Sequence, residues 1–196
     1  MADNTLIQFV DPEVTKTKFK IELGEFENLR EDYRRKGIIC LSQLYPVVSF
    51  IFAVPSLNPS PIAFAVKFDF TNWDVEPPSI IFINPFSGAP VKGTDVKLEF
   101  LQKVDTPIPG QFTTLDLLQA RNTDSPFFCI PGVREYHQHP AHSGDPWMLH
   151  RTRGEGKLVT LLDQLYRHSI AQCNGYGIQM NFSITGINID INKVFQ

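Results

Sequence analysis

The sequence predicts an α+β fold, an antiparallel β-meander flanked by helices. Three runs, "PVVSFIFAV", "PIAFAVKFDF" and "PSIIFINPF", are rich in β-branched and aromatic residues and are parted by Pro, Asn and Ser turns. Segments of helical spacing stand before and after them, and the order helix, meander, irregular region, helix, strands is the α+β pattern. At 196 residues the chain can bury one good core, so a single domain over residues 1–196 is expected.

The opening "LIQFVDPEVTKTKFKIEL" mixes β-formers with alternating charge and reads as a strand or an extended arm. "GEFENLREDYRRKG" reads as a helix, with Phe26, Leu29 and Tyr33 at helical spacing and Gly37 as its stop. Its "REDYRRK" is a solvated face. In "IAFAVKFDF", period-2 alternation puts Phe64, Val66, Phe68 and Phe70 on a core face and Lys67 and Asp69 opposite. "TNWDVEPPS" is a proline-stiffened connection. Between Ser87 and Ser125, "DVKLEFLQKV" reads as a strand and "TTLDLLQA" as a short helix from Thr113 or Thr114. "GEGKLVTLLDQLYRHSIAQC" is the strongest helix, striped by Leu158, Leu161, Leu162 and Leu165 and ended by Asn174-Gly175. Alternation from Ile178 to Ile191 then predicts closing strands over residues 176–192.

Composition excludes some classes. A hydrophobic fraction of 42%, 16 Phe and a net charge of −3 describe a soluble globular chain with no electrostatic claim on nucleic acid. No apolar run reaches the roughly 20 residues of a membrane span, and the start lacks a secretory signal, so a cytoplasmic protein is expected. The three cysteines, Cys40, Cys129 and Cys173, suit a reducing compartment better than a disulfide framework; Cys40 and Cys173 read as structural.

Four of the five histidines, His137, His139, His142 and His150, fall within "REYHQHPAHSGDPWMLH", residues 134–150. Zinc favours imidazole and thiolate, often with several ligands from one short segment, and "CIPGVREYHQHPAH" supplies Cys129, Glu135, His137, His139 and His142. If residues 134–139 are extended, Glu135, His137 and His139 share a face, and Pro140 lets His142 turn back. Alternatively Cys129 is a nucleophile whose thiolate is tuned by a histidine, with His137 a candidate. A metal-bound thiolate would be quenched, so the two roles compete for one sulfur. A third reading leaves Cys129 as a small buried hydrophobe in the apolar "FFCIP". Asp145, Pro146 and Trp147 read as a turn anchored by a buried indole, with Asp145 able to orient a ligand histidine. Tyr136 reads as packing and His168 as surface. "HQHPAH" departs from the H-x-H-x-D-H of metallo-β-lactamase-like hydrolases at Ala141, and from the cupin pattern at Ser143.

With the meander and Cys129 in view, "FAVKFDFTNWDVEPPSIIFINPF", "FFCIP", Trp147 and the helix from Lys157 resemble, in order, the strand, Pro-Pro turn, strand, cysteine, tryptophan and long helix of the ubiquitin-conjugating enzyme fold. The resemblance covers a core of about residues 25–173 and implies a transferase with Cys129 as nucleophile. Asn84-Pro85 is the nearest echo of the family's His-Pro-Asn motif, and it lies farther upstream of the cysteine than in that family. "C…REYHQHPAHSGDPW" also resembles a bacterial family described as a predicted metal-binding domain with Cys, Glu, His and His. That second resemblance implies zinc, held by Cys129, Glu135 and two of His137, His139 and His142. It also implies a bacterial ubiquitin-like pathway whose partners are a ubiquitin-like protein, an activating enzyme and a JAB-type protease. A non-catalytic metal-binding or adaptor role in the same pathway is the alternative.

Overall fold

The structure, a computed structural model, describes residues 7–96, 102–109, 111–120 and 126–175. The closing strands expected over 176–192 lie outside these residues.

Helix α1 (Pro12–Asn28) begins at Asp11, whose side chain accepts from the Glu13 backbone N–H at 2.8 Å, with Pro12 in the first turn. Its buried residues Thr15, Phe19, Glu22 and Phe26 form one stripe at helical spacing. The strand or arm expected over "LIQFVDPEVTKTKFKIEL" is therefore helical from Pro12 onward, because a capped start and this stripe outweigh the local β-formers. A break at Leu29 separates α1 from α2 (Arg30–Arg35), so the single helix expected over residues 24–37 is two. Gly37 follows with φ +85°, and a Cβ there would overlap the Ala53 carbonyl oxygen.

Strands β1 (Ile38–Leu44), β2 (Val47–Ala53), β3 (Ile62–Asp69) and β4 (Ser79–Ile83) form an antiparallel sheet in that order. β1 escaped the sequence reading because, as an edge strand, it leaves Ile39, Leu41 and Leu44 exposed and shows no clean alternation. The register sets Phe50 opposite Val66 and Val66 opposite Phe82. As expected, Phe64, Val66, Phe68 and Phe70 are all buried, and Lys67 and Asp69 lie half-buried on the other side.

Helix α4 (Leu158–Arg167) covers this face with Leu158, Leu161, Leu162 and Leu165, together with Phe19 and Phe26 of α1. Polar bonds tie α4 to both N-terminal helices: the Leu158 N–H donates to the Glu22 carboxylate of α1 at 2.9 Å, and the Tyr33 hydroxyl of α2 donates to the Val159 carbonyl at 3.1 Å. Burial leaves the Glu22 carboxyl with a raised pKa despite that bond. α4 stops at Arg167, short of Asn174-Gly175, since the Ser169 hydroxyl turns back onto the Leu165 carbonyl; a 3₁₀ turn (Ile170–Gln172) follows.

Strand β5 (Gln102–Ile108) pairs with β6 (Gln111–Asp116), and β7 (Leu118–Gln119) pairs with β8 (Phe127–Phe128). The short helix expected in "TTLDLLQA" is thus strand. Thr113 and Thr114 pair across from Asp105 and Val104, where β-branched residues are favoured. Among the described residues, no helix is long and apolar enough to cross a membrane.

Candidate functional site

Cys129 follows directly on β8, and its N–H donates to the Leu117 carbonyl at 2.7 Å. At Gly132 the chain turns with φ +96°, and a Cβ there would overlap the Glu155 carbonyl oxygen, so the two backbones touch. Residues 134–138 then form helix α3 (Arg134–Gln138), where an extended segment was expected. Long-range anchors decide this. The buried Arg134 donates from Nε to the Pro77 carbonyl at 3.2 Å and from Nη2 to the Thr71 carbonyl at 2.6 Å. The Glu135 carboxylate accepts from the Ser79 hydroxyl and from the Ile80 N–H at 3.3 Å, and burial raises its pKa.

A helix does not keep Glu135, His137 and His139 on the shared face that an extended strand would give them. The Cys129 sulfur instead meets His142, with Sγ 3.3 Å from Nε2. His142 lies in a 3₁₀ turn (Pro140–His142), where His139 serves as cap and accepts from the Ala141 N–H at 3.3 Å. His137 turns away, with Nδ1 2.8 Å from the Asp145 carbonyl oxygen. That bond makes Nδ1 the donor and leaves Nε2, buried and without a hydrogen-bond partner, as a lone pair. Burial and the neighbouring His150 lower the His137 pKa.

Of the candidate ligands, the structure brings Cys129 and His142 into contact, while Glu135 is bonded to Ser79 and Ile80. Among the described residues, no group of three or more His, Cys, Asp or Glu side chains is arranged to hold a metal ion.

Behind Cys129 and His142 runs a polar chain. The His142 ring stacks on Tyr136, centroids 3.9 Å apart and planes 20° from parallel. The Tyr136 hydroxyl donates to Asp145 Oδ2 at 2.7 Å, and Asp145 Oδ1 lies 2.6 Å from His150 Nε2. His150 Nδ1 in turn bonds Glu155. Burial and then the Asp145 bond push the Tyr136 hydroxyl up to about 12. Hydrogen bonds from His150 and Tyr136 hold the Asp145 carboxyl below the usual range. Burial also pushes the half-buried Cys129 thiol above its ordinary 9.0.

From the sequence Tyr136 reads as packing, Asp145 as a turn residue able to orient a ligand histidine, and His150 and Glu155 carry no role; the structure joins all four. The signal available was an acidic residue five positions to either side of His150. The buried indole expected at Trp147 is present, and its Nε1–H donates to the Asp74 carbonyl at 2.9 Å.

His150 carries a pH dependence. Its burial opposes the charged form, but bonds to Asp145 and Glu155 outweigh this and raise its pKa above 6.5. A raised folded-state value means that the stabilisation is fully present below 6.5 and is lost as pH rises through the folded-state pKa. The stability difference between wild type and His150→Gln, from urea unfolding, is expected to shrink between about pH 6 and about pH 8. A constant difference would show that His150 does not titrate in its clamp.

Comparison with known proteins places the sequence in context. The profile described as Y4jH-like, of the Y4jH family, matches residues 10–173. A protein of Sinorhizobium fredii described as uncharacterized protein y4jH is 36% identical over 195 residues, covering 92% of this chain and 94% of its own length.

Proposed function

This chain belongs to the Y4jH family, and we propose that it is a ubiquitin-conjugating-enzyme-like transferase of a bacterial ubiquitin-like pathway, with Cys129 carrying the modifier as a thioester. The observation that carries this reading is the 3.3 Å approach of Cys129 Sγ to His142 Nε2. Burial keeps the thiol protonated near neutral pH, so its attack calls for a base, and the imidazole stands where the proton leaves.

In the first step Sγ attacks the carbonyl carbon of a ubiquitin-like C-terminus held as a thioester on the activating enzyme, and the thiol proton passes to His142. The new Sγ–C bond forms, the old C–S bond breaks, and the departing thiolate takes the proton from His142. In the second step an amine attacks the same carbon, the C–Sγ bond breaks, and the proton lost by the amine returns through His142 to Cys129. A JAB-type protease would reverse the modification.

The chain order also supports the reading: α1, a four-stranded meander, Pro77-Pro78 before β4, Cys129, Trp147 and α4 follow the sequence of the resembled fold. Asn84 is given no part in the transfer. Its side-chain oxygen accepts from the Phe86 and Ser87 N–H groups at 2.9 and 3.0 Å and so braces its own turn.

Incubation with activating enzyme, ATP and the ubiquitin-like protein is expected to give a reductant-sensitive adduct that Cys129→Ala lacks. No adduct with an active partner enzyme overturns the reading, and a positive pull-down of the ubiquitin-like protein alone would then favour an adaptor. Zinc binding requires Glu135 to leave Ser79 and Ile80. About one equivalent of zinc in untagged protein, lost in Cys129→Ala, is the result that would favour it over transfer.

A further inference from the structure

We propose that Tyr136 and Asp145 are positioning residues that hold His142 against Cys129, an inference that rests on the transfer reading above. An imidazole in a short half-exposed turn has free side-chain rotations, yet a useful bond to sulfur demands one orientation. Stacking supplies it: the Tyr136 ring lies 3.9 Å from His142 and 20° from parallel, which fixes the plane in which Nε2 points. Tyr136 is held by its 2.7 Å bond to Asp145, and Asp145 by the 2.6 Å contact with His150. His150 is only 7% exposed and is gripped from its other nitrogen by Glu155. Order thus passes outward from a buried histidine to the imidazole beside the thiol. No atom of Tyr136 or Asp145 needs to touch the modifier for this to work.

The test reads the iodoacetamide alkylation rate of Cys129 at pH 7 in the full chain, followed on the Cys129 peptide by mass spectrometry so that Cys40 and Cys173 do not contribute. His142→Ala and Tyr136→Ala are each expected to slow it about tenfold, since misplacing a base costs rate steeply. Tyr136→Phe keeps the stacked ring, loses only the hydroxyl, and is expected to slow it about threefold. In the His142→Ala background, Tyr136→Ala is expected to add nothing, which separates action through His142 from general loosening. A wild-type rate in Tyr136→Ala or in His142→Ala, or an undiminished Tyr136 effect without His142, overturns the proposal. If Tyr136→Ala does not fold, Asp145→Ala takes its place in the same cycle, with about a threefold loss expected and a wild-type rate overturning it. Thioester formation is scored on the same proteins. The expected alkylation pattern without any thioester removes the transferase reading and keeps the positioning; a thioester without the pattern does the reverse.

Discussion

His142→Ala is expected to slow thioester formation about 10²–10⁴-fold, the range that a positioned general base supplies. Cys129 is half-buried and its thiol is pushed above 9.0, so little thiolate exists near neutral pH and the proton must leave during attack. In the proposed transfer, the acceptor for it is the imidazole nitrogen at 3.3 Å. His142 is half-exposed in a surface turn, so the melting temperature should change by no more than about 2 °C. Single-turnover transfer from a preloaded activating enzyme measures the effect. A loss of less than about threefold would mean that His142 does not take the proton.

Trp147→Ala is expected to cost about 3–5 kcal/mol, the range for removing a large buried aromatic side chain. The indole is 7% exposed, sits 6.0 Å from Trp73 and 5.6 Å from His137 between ring centroids, and satisfies the Asp74 carbonyl. Its fit is tight, because a Cβ on Gly156 would crowd both Trp147 and Trp73. For a chain of this size the loss corresponds to a drop of about 10 °C in melting temperature. Thermal and urea unfolding check it, and a loss below about 1 kcal/mol would contradict the packing.

The fold was legible where one local period served one core. Phe64, Val66, Phe68 and Phe70 alternate on a buried face, and Leu158, Leu161, Leu162 and Leu165 stripe α4. It was not legible in α1, whose buried stripe includes Thr15 and a glutamate, Glu22, that is useful only because Leu158 stands across from it. Nor was it legible in α3. "REYHQ" has no apolar period, and what makes it a helix is a set of carbonyls and donors more than 50 residues away in sequence, at Thr71, Pro77, Ser79 and Ile80. The same blindness touched the site. Composition pointed to Cys129 and a histidine within the following stretch, but choosing His142 over His137 depended on helical turns that those distant anchors impose.

Gly132 has a consequence for movement. With no room for even a methyl group between it and the Glu155 carbonyl, the turn that carries the thiol and the turn that carries the last carboxylate of the polar chain lie in direct backbone contact. Neither can move toward the other, so any side chain larger than hydrogen at residue 132 has to part the segment that carries Cys129 from the segment that carries Glu155.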